Sequence, residues 1–76
     1  MKVFSIRDIK AEGFNTPFFQ QTFGIAERAF KEAANDTNSQ IHKNKQDFSL
    51  FCVGEFDHTT GVITPVNPPQ HVCDAE

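Results

Sequence analysis

The imidazoles and thiols, the side chains most often recruited for acid–base, nucleophilic or zinc chemistry, are few and scattered: His42, His58, His71, Cys52 and Cys73. His71 and Cys73, with one intervening residue, together with Cys52 or His58 could make up a ligand set. Their spacing matches no zinc-finger pattern, so no metal and no cofactor are expected. Cys52 lies in an apolar run, where a thiol is usually inert. Cys73 lies in a proline-rich stretch, and two free thiols are expected in preference to a disulfide pinning that stretch down. There is no glycine-rich phosphate loop, no H-E-x-x-H and no C-x-x-C, so the chain reads as a binding protein and not an enzyme.

Binding chemistry is better represented. The chain has nine Phe and no Tyr or Trp, and three of the nine, Phe14, Phe18 and Phe19, fall in a stretch broken by Gly13, Asn15 and Pro17. Aromatic side chains near cations are how single-stranded nucleic acid is held without sequence preference, with rings stacking on bases and cations meeting phosphates. The candidate cations are Lys2, Arg7, Lys10, Arg28, Lys31, Lys43 and Lys45, which are all the Lys and Arg present. The alternative for the aromatic stretch is a lid folded back over the core.

The formal net charge of −3 argues against a strongly basic duplex binder. It is unevenly spread. Residues 1–45 hold all seven cations and five acids, whereas residues 46–76 hold five acids and no Lys or Arg. This suits either a basic face for nucleic acid or two complementary halves that associate head to tail.

The elements that must position these groups follow from hydrophobic period. Residues 2–9 alternate as a strand, with Phe4 and Ile6 on one face. From Phe23 the spacing changes to three and four, through Ala26, Phe30 and Ala33/Ala34, which predicts a helix capped by Thr22 and ended near Asn35 and Asp36. Residues 48–57 form the clearest strand, with Phe48, Leu50, Cys52, Gly54 and Phe56 on one face and Ser49, Phe51, Val53 and Glu55 on the other. A turn at 57–61 returns the chain as a short strand at 62–64.

The fold class expected is therefore α+β, one helix on a small, mainly antiparallel three-stranded sheet in the order strand-helix-strand-strand. The first two strands would run parallel through a right-handed crossover, with the third able to slot between them. Pro65, Pro68 and Pro69 predict that residues 65–76 form an extended tail beyond a single domain at 1–64. One helix covers one sheet face, which leaves Phe51 and Val53 as a candidate subunit interface. So short a chain has a thin core, and a homodimer or small homo-oligomer is the expected remedy. No window has signal-peptide or membrane-spanning character, so a soluble protein in a reducing cell interior is expected.

Pro17-Phe18-Phe19, Arg28-Ala29-Phe30, Asn35-Asp36, Ser39, Asp47-Phe48-Ser49-Leu50-Phe51, Gly54-Glu55-Phe56-Asp57 and Gly61 together resemble the small nonstructural DNA-replication protein of gokushovirus-like microviruses, single-stranded DNA phages. The resemblance spans roughly residues 1–65. It implies a viral protein absent from the virion, acting in the cytoplasm of the infected bacterial host in genome replication, with DNA as a suspected ligand; it nominates no binding residues. The expectation that combines both lines is a non-enzymatic accessory protein that binds single-stranded DNA as a dimer. The alternative is an adaptor that recruits a host or phage replication protein through a sheet face, a sheet edge or the proline-rich tail.

Overall fold

The computed structural model describes all of residues 1–76. Five strands form one antiparallel sheet: β1 (Lys2–Asp8), β2 (Gly13–Phe14), β3 (Phe18–Gln20), β4 (Phe48–Phe56) and β5 (Ile63–Asp74). The helix α1 (Phe23–Asn35), a single-turn helix α2 (Gln40–Lys43) and a 3-10 turn (Lys45–Asp47) lie between β3 and β4. β1 and β4 are the inner strands. β5 flanks β4, and the other side of β1 is shared by β2 at its C-terminal end and β3 at its N-terminal end.

Three features correct the architecture expected from sequence. The sheet has five strands and not three, because the Phe-rich connection pairs with β1 as two short segments. β1 and β4 are antiparallel neighbours with nothing between them. Residues 65–74 are not a free tail but most of β5.

The prolines are accommodated by an interruption in the ladder. Gly54 pairs with Pro65 and Cys52 with Gln70, so four residues, Val66 to Pro69, arch out opposite Val53 alone. Pro68 and Pro69 sit in that arch, and β5 is an edge strand, where a missing N–H costs no ladder bond. Turn chemistry at the other end of the hairpin is conventional. Gly61 takes φ 78°, a left-handed conformation glycine adopts freely, and its N–H donates to the Asp57 carbonyl at 2.7 Å.

The core lies between the sheet and α1. Thr22 caps the helix, its hydroxyl accepting from the Ile25 N–H at 3.1 Å, and the stripe Ala26, Phe30 and Ala34 is buried against Phe4, Phe48, Leu50 and Cys52. Asp36 and Ser39 end α1 and start α2: Asp36 Oδ1 accepts from the Asn38 N–H, and Ser39 Oγ accepts from the His42 N–H. His42 Nδ1 in turn donates to the Ala34 carbonyl at 3.0 Å, which spends that imidazole on fastening α2 to α1.

Only 12 of 76 residues are buried, and the Cα radius of gyration is 12.5 Å, against about 11.4 Å for a compact chain of this length. The molecule is a two-layer slab with one sheet face free of helix.

Candidate nucleic-acid interface on the free sheet face

Alternation along β1 directs Phe4 toward α1, and Val3, Ser5 and Arg7 to the other face. On β4, Phe48, Leu50 and Cys52 point to the helix, so Ser49 and Phe51 share the free face. A bulge then changes the phase. Phe4 pairs with Cys52 and Val3 with Gly54, leaving Val53 unpaired, so Phe56 emerges on the free face and Glu55 on the helix side. This corrects the expected faces of β4: Phe56 joins Phe51, and Val53 belongs to the bulge and to no regular face.

The result is two aromatic stations on one surface. In the first, Phe14 and Phe51 meet edge to face with ring centroids 5.4 Å apart, and His71 meets Phe51 in the same way at 5.4 Å. The Arg7 guanidinium lies 6.0 Å from the centroid of Phe14, its cross-strand partner, at the outer limit of a cation–π contact. In the second, Phe19 on β3 meets Phe56 at 5.6 Å. Phe14 and Phe19 remain 46% and 45% exposed, so each has ring surface left for a ligand. Between the stations the floor is low and uncharged. Val3 and Ser5 are buried, and the Ser5 hydroxyl donates to the Asn15 carbonyl at 2.6 Å.

A polar edge borders the first station on β5. Asp74 Oδ1 accepts from Ser49 Oγ at 2.7 Å and from His71 Nε2 at 2.8 Å. The hydrogen bond from His71, followed by that from Ser49, holds the Asp74 carboxyl below its ordinary value of 3.8. Ser49 donates its proton to a carboxylate here, so Ser49, His71 and Asp74 do not form a nucleophile–base pair of the hydrolytic kind.

The sequence nominated seven cations, and the sheet separates them. Arg7 is on the aromatic face, and Lys10 is exposed in the turn that joins β1 to β2, where its backbone N–H donates to Asp8 Oδ1. Lys2 is on the helix side, 3.8 Å from Glu55 Oε1 and 5.0 Å from the Phe23 ring centroid. Lys31 Nζ donates to the Asp74 carbonyl at 2.6 Å, and Arg28 is exposed on the same helix α1. Lys43 belongs to α2, whose Ile41 packs on the core, and Lys45 begins the 3-10 turn that follows.

Of the three nominated rings, Phe14 and Phe19 face solvent together. Phe18 does not; it stacks on Phe4 at 6.0 Å and packs against the core. Thus the connection covers the core through Phe18 and leaves an exposed aromatic edge at Phe14 and Phe19.

Phe56 and His71 were missed as members of the face. Phe56 could not be found by alternation, because the bulge at Val53 reverses its side. His71 depended on recognising β5. Neither cysteine is bonded to the other; Cys52 is buried, and burial pushes the partly exposed Cys73 thiol up. No three His, Cys, Asp or Glu side chains converge in a metal-binding arrangement. No helix is long and apolar enough to cross a membrane.

Compared with known proteins, the family described as phage ORF5 protein matches residues 1–76, the whole chain. No curated protein and no solved structure matches. The chain belongs to the phage ORF5 protein family.

Proposed function

We propose that this phage ORF5 protein is a non-enzymatic accessory factor in viral genome replication that binds single-stranded DNA on the free face of its sheet. The observation that carries the reading is the pair of half-open aromatic stations, Phe14–Phe51–His71 and Phe19–Phe56, with Arg7 beside the first. Rings of this kind accept any unpaired base, since every base has a π-face, whereas duplex DNA keeps its bases stacked and offers none. The resemblance to microvirus replication proteins supports the same ligand, because replicating a single-stranded genome exposes long unpaired tracts.

This face was also the candidate subunit interface, through Phe51. Its composition favours the strand. Arg7, Ser49, His71 and Asp74 place four polar or charged groups among the rings, and the centres of self-pairing interfaces are depleted of charge. Binding is expected to be weak and indifferent to sequence, since few cations serve the face and no side-chain array is positioned to read base edges.

The test is fluorescence anisotropy of the intact protein with labelled single-stranded and duplex oligonucleotides of equal length. Saturable binding that favours the single strand supports the reading. Equal binding to both forms removes the single-strand preference that the rings imply, and no binding even at low salt removes the reading and favours the adaptor.

A further inference from the structure

The two stations have a fixed spacing and the face has an electrostatic polarity, and together these define a path. Phe19 pairs with Val3 and Phe14 with Arg7, so the backbone positions that carry the outer rings stand four residues apart along β1, about 13 Å at ~3.3 Å per residue. Stacked nucleotides advance ~3.4 Å each, so that spacing corresponds to about four steps. Only the buried Val3 and Ser5 lie beneath the interval on β1, and neither offers a ring or a charge.

Across the strands, Arg7 pairs with Ser49 and Ser49 with Asp74. The guanidinium and the carboxylate therefore flank β4 from opposite sides, with backbones about 10 Å apart at ~4.8 Å per strand. Phosphates are drawn to the Arg7 side and repelled from the Asp74 side.

We infer that the DNA strand runs along β1 with its phosphates toward Arg7 and the β2–β3 edge and its bases toward β4, and that it must span both aromatic stations, so the minimum tract is about five nucleotides. This rests on the reading that the free face binds single-stranded DNA, and adds the length and direction of the tract. A shorter strand stacks at one station only. Joining the two contacts in one molecule makes the second intramolecular, which raises affinity in a step and not in proportion to length.

The experiment measures anisotropy of labelled oligothymidylates, from trimer through pentamer to octamer, with wild type and with Phe19→Leu, Phe14→Leu and Asp74→Asn. The leucine variants keep apolar bulk at exposed positions and so retain the fold, which circular dichroism verifies. Wild type is expected to bind pentamer and octamer about tenfold or more tighter than trimer. Phe19→Leu is expected to abolish that step, so that pentamer and octamer bind within about threefold of trimer, and Asp74→Asn to raise affinity at every length.

Affinity that climbs evenly from trimer to octamer, or a step that survives Phe19→Leu, overturns the two-station path while leaving single-strand binding in place. Lower affinity in Asp74→Asn overturns the assigned polarity. Absence of binding at all lengths removes the proposed function and the path with it.

Discussion

Phe14 and Phe51 meet edge to face at 5.4 Å although their strands do not pair with each other; both pair with β1, and the rings close over it. The contact depends on β1 carrying a small residue where Phe51 pairs, and that residue is Ser5. An edge-to-face pair contributes about 0.5–1.5 kcal/mol beyond its buried area, which biases the rings toward this arrangement before any ligand arrives.

The first prediction concerns this station. Phe51→Leu keeps an apolar side chain on β4 but removes the ring, and stacking is worth about 1–3 kcal/mol per base. Affinity for single-stranded DNA should fall about five- to 150-fold, and loss of an edge-to-face contact should lower Tm by about 2–12 °C while the protein stays folded. Full affinity in a folded Phe51→Leu protein would mean that the base does not stack there.

Salt dependence distinguishes the cations expected from sequence from those the sheet places on the face. Seven phosphate contacts would give a slope of log Kobs against log salt of about −5, at ~0.7 per contact on single strands. Arg7 on the face, with the exposed Lys10 of the adjoining turn, gives about −1.4. Arg7→Gln should make the slope shallower by about 0.7, and Arg28→Gln, on the far side of the sheet, should leave it unchanged. A wild-type slope near −5 would restore a role for the helix-side cations.

Much of this arrangement was legible in the residues. The helix stripe at Ala26, Phe30 and Ala34, the Thr22 cap and the strand beginning at Phe48 follow from local period and hydrogen-bonding chemistry. That Phe14, Phe18 and Phe19 fall outside regular helix follows from Gly13 and Pro17, but which of the three faces solvent does not. What was hidden depends on pairing between distant residues. β5 was obscured because three prolines argue against a ladder, and only the arch opposite Val53 reconciles them with one. The same bulge moved Phe56 to the free face, since a single inserted residue reverses the alternation on which a sequence reading relies. The scattering of the cations was invisible for the same reason, because which side of the sheet Lys2 or Lys31 occupies is decided by tertiary packing.

The third prediction tests the β4–β5 junction. A Cβ at Gly54 would lie 2.9 Å from the Thr64 carbonyl oxygen, a backbone atom that cannot move without shifting β5. Gly54→Ala should destabilise the protein by about 1–3 kcal/mol. For a domain of this size each kcal/mol lowers Tm by about 4–8 °C, so thermal unfolding reads the effect directly. An unchanged Tm would show that β5 is not clamped there.

The fourth concerns pH. Asp74 has its folded pKa lowered, chiefly by the hydrogen bond from His71 and then by that from Ser49. A lowered carboxyl contributes stability that is present above its ordinary value of 3.8 and is lost as pH falls through the lower folded midpoint. The contribution is small, because the side chain is 61% exposed and solvent screens it. Carbon-detected NMR of the Asp74 carboxyl should give a midpoint below 3.8 that moves up toward it in His71→Ala and by less in Ser49→Ala. A midpoint unaffected by His71→Ala would contradict the assigned cause.

The most direct measurement is amide chemical-shift mapping of the isotopically labelled, intact protein titrated with an oligothymidylate octamer. Shifts concentrated at Val3 to Arg7, Phe14, Phe19, Phe51, Phe56 and His71, with Arg28, Lys31 and Lys43 unmoved, are the result predicted for a strand on the free face. Shifts centred on α1 and α2, with the aromatic face silent, would place the ligand on the opposite side of the sheet and contradict the account.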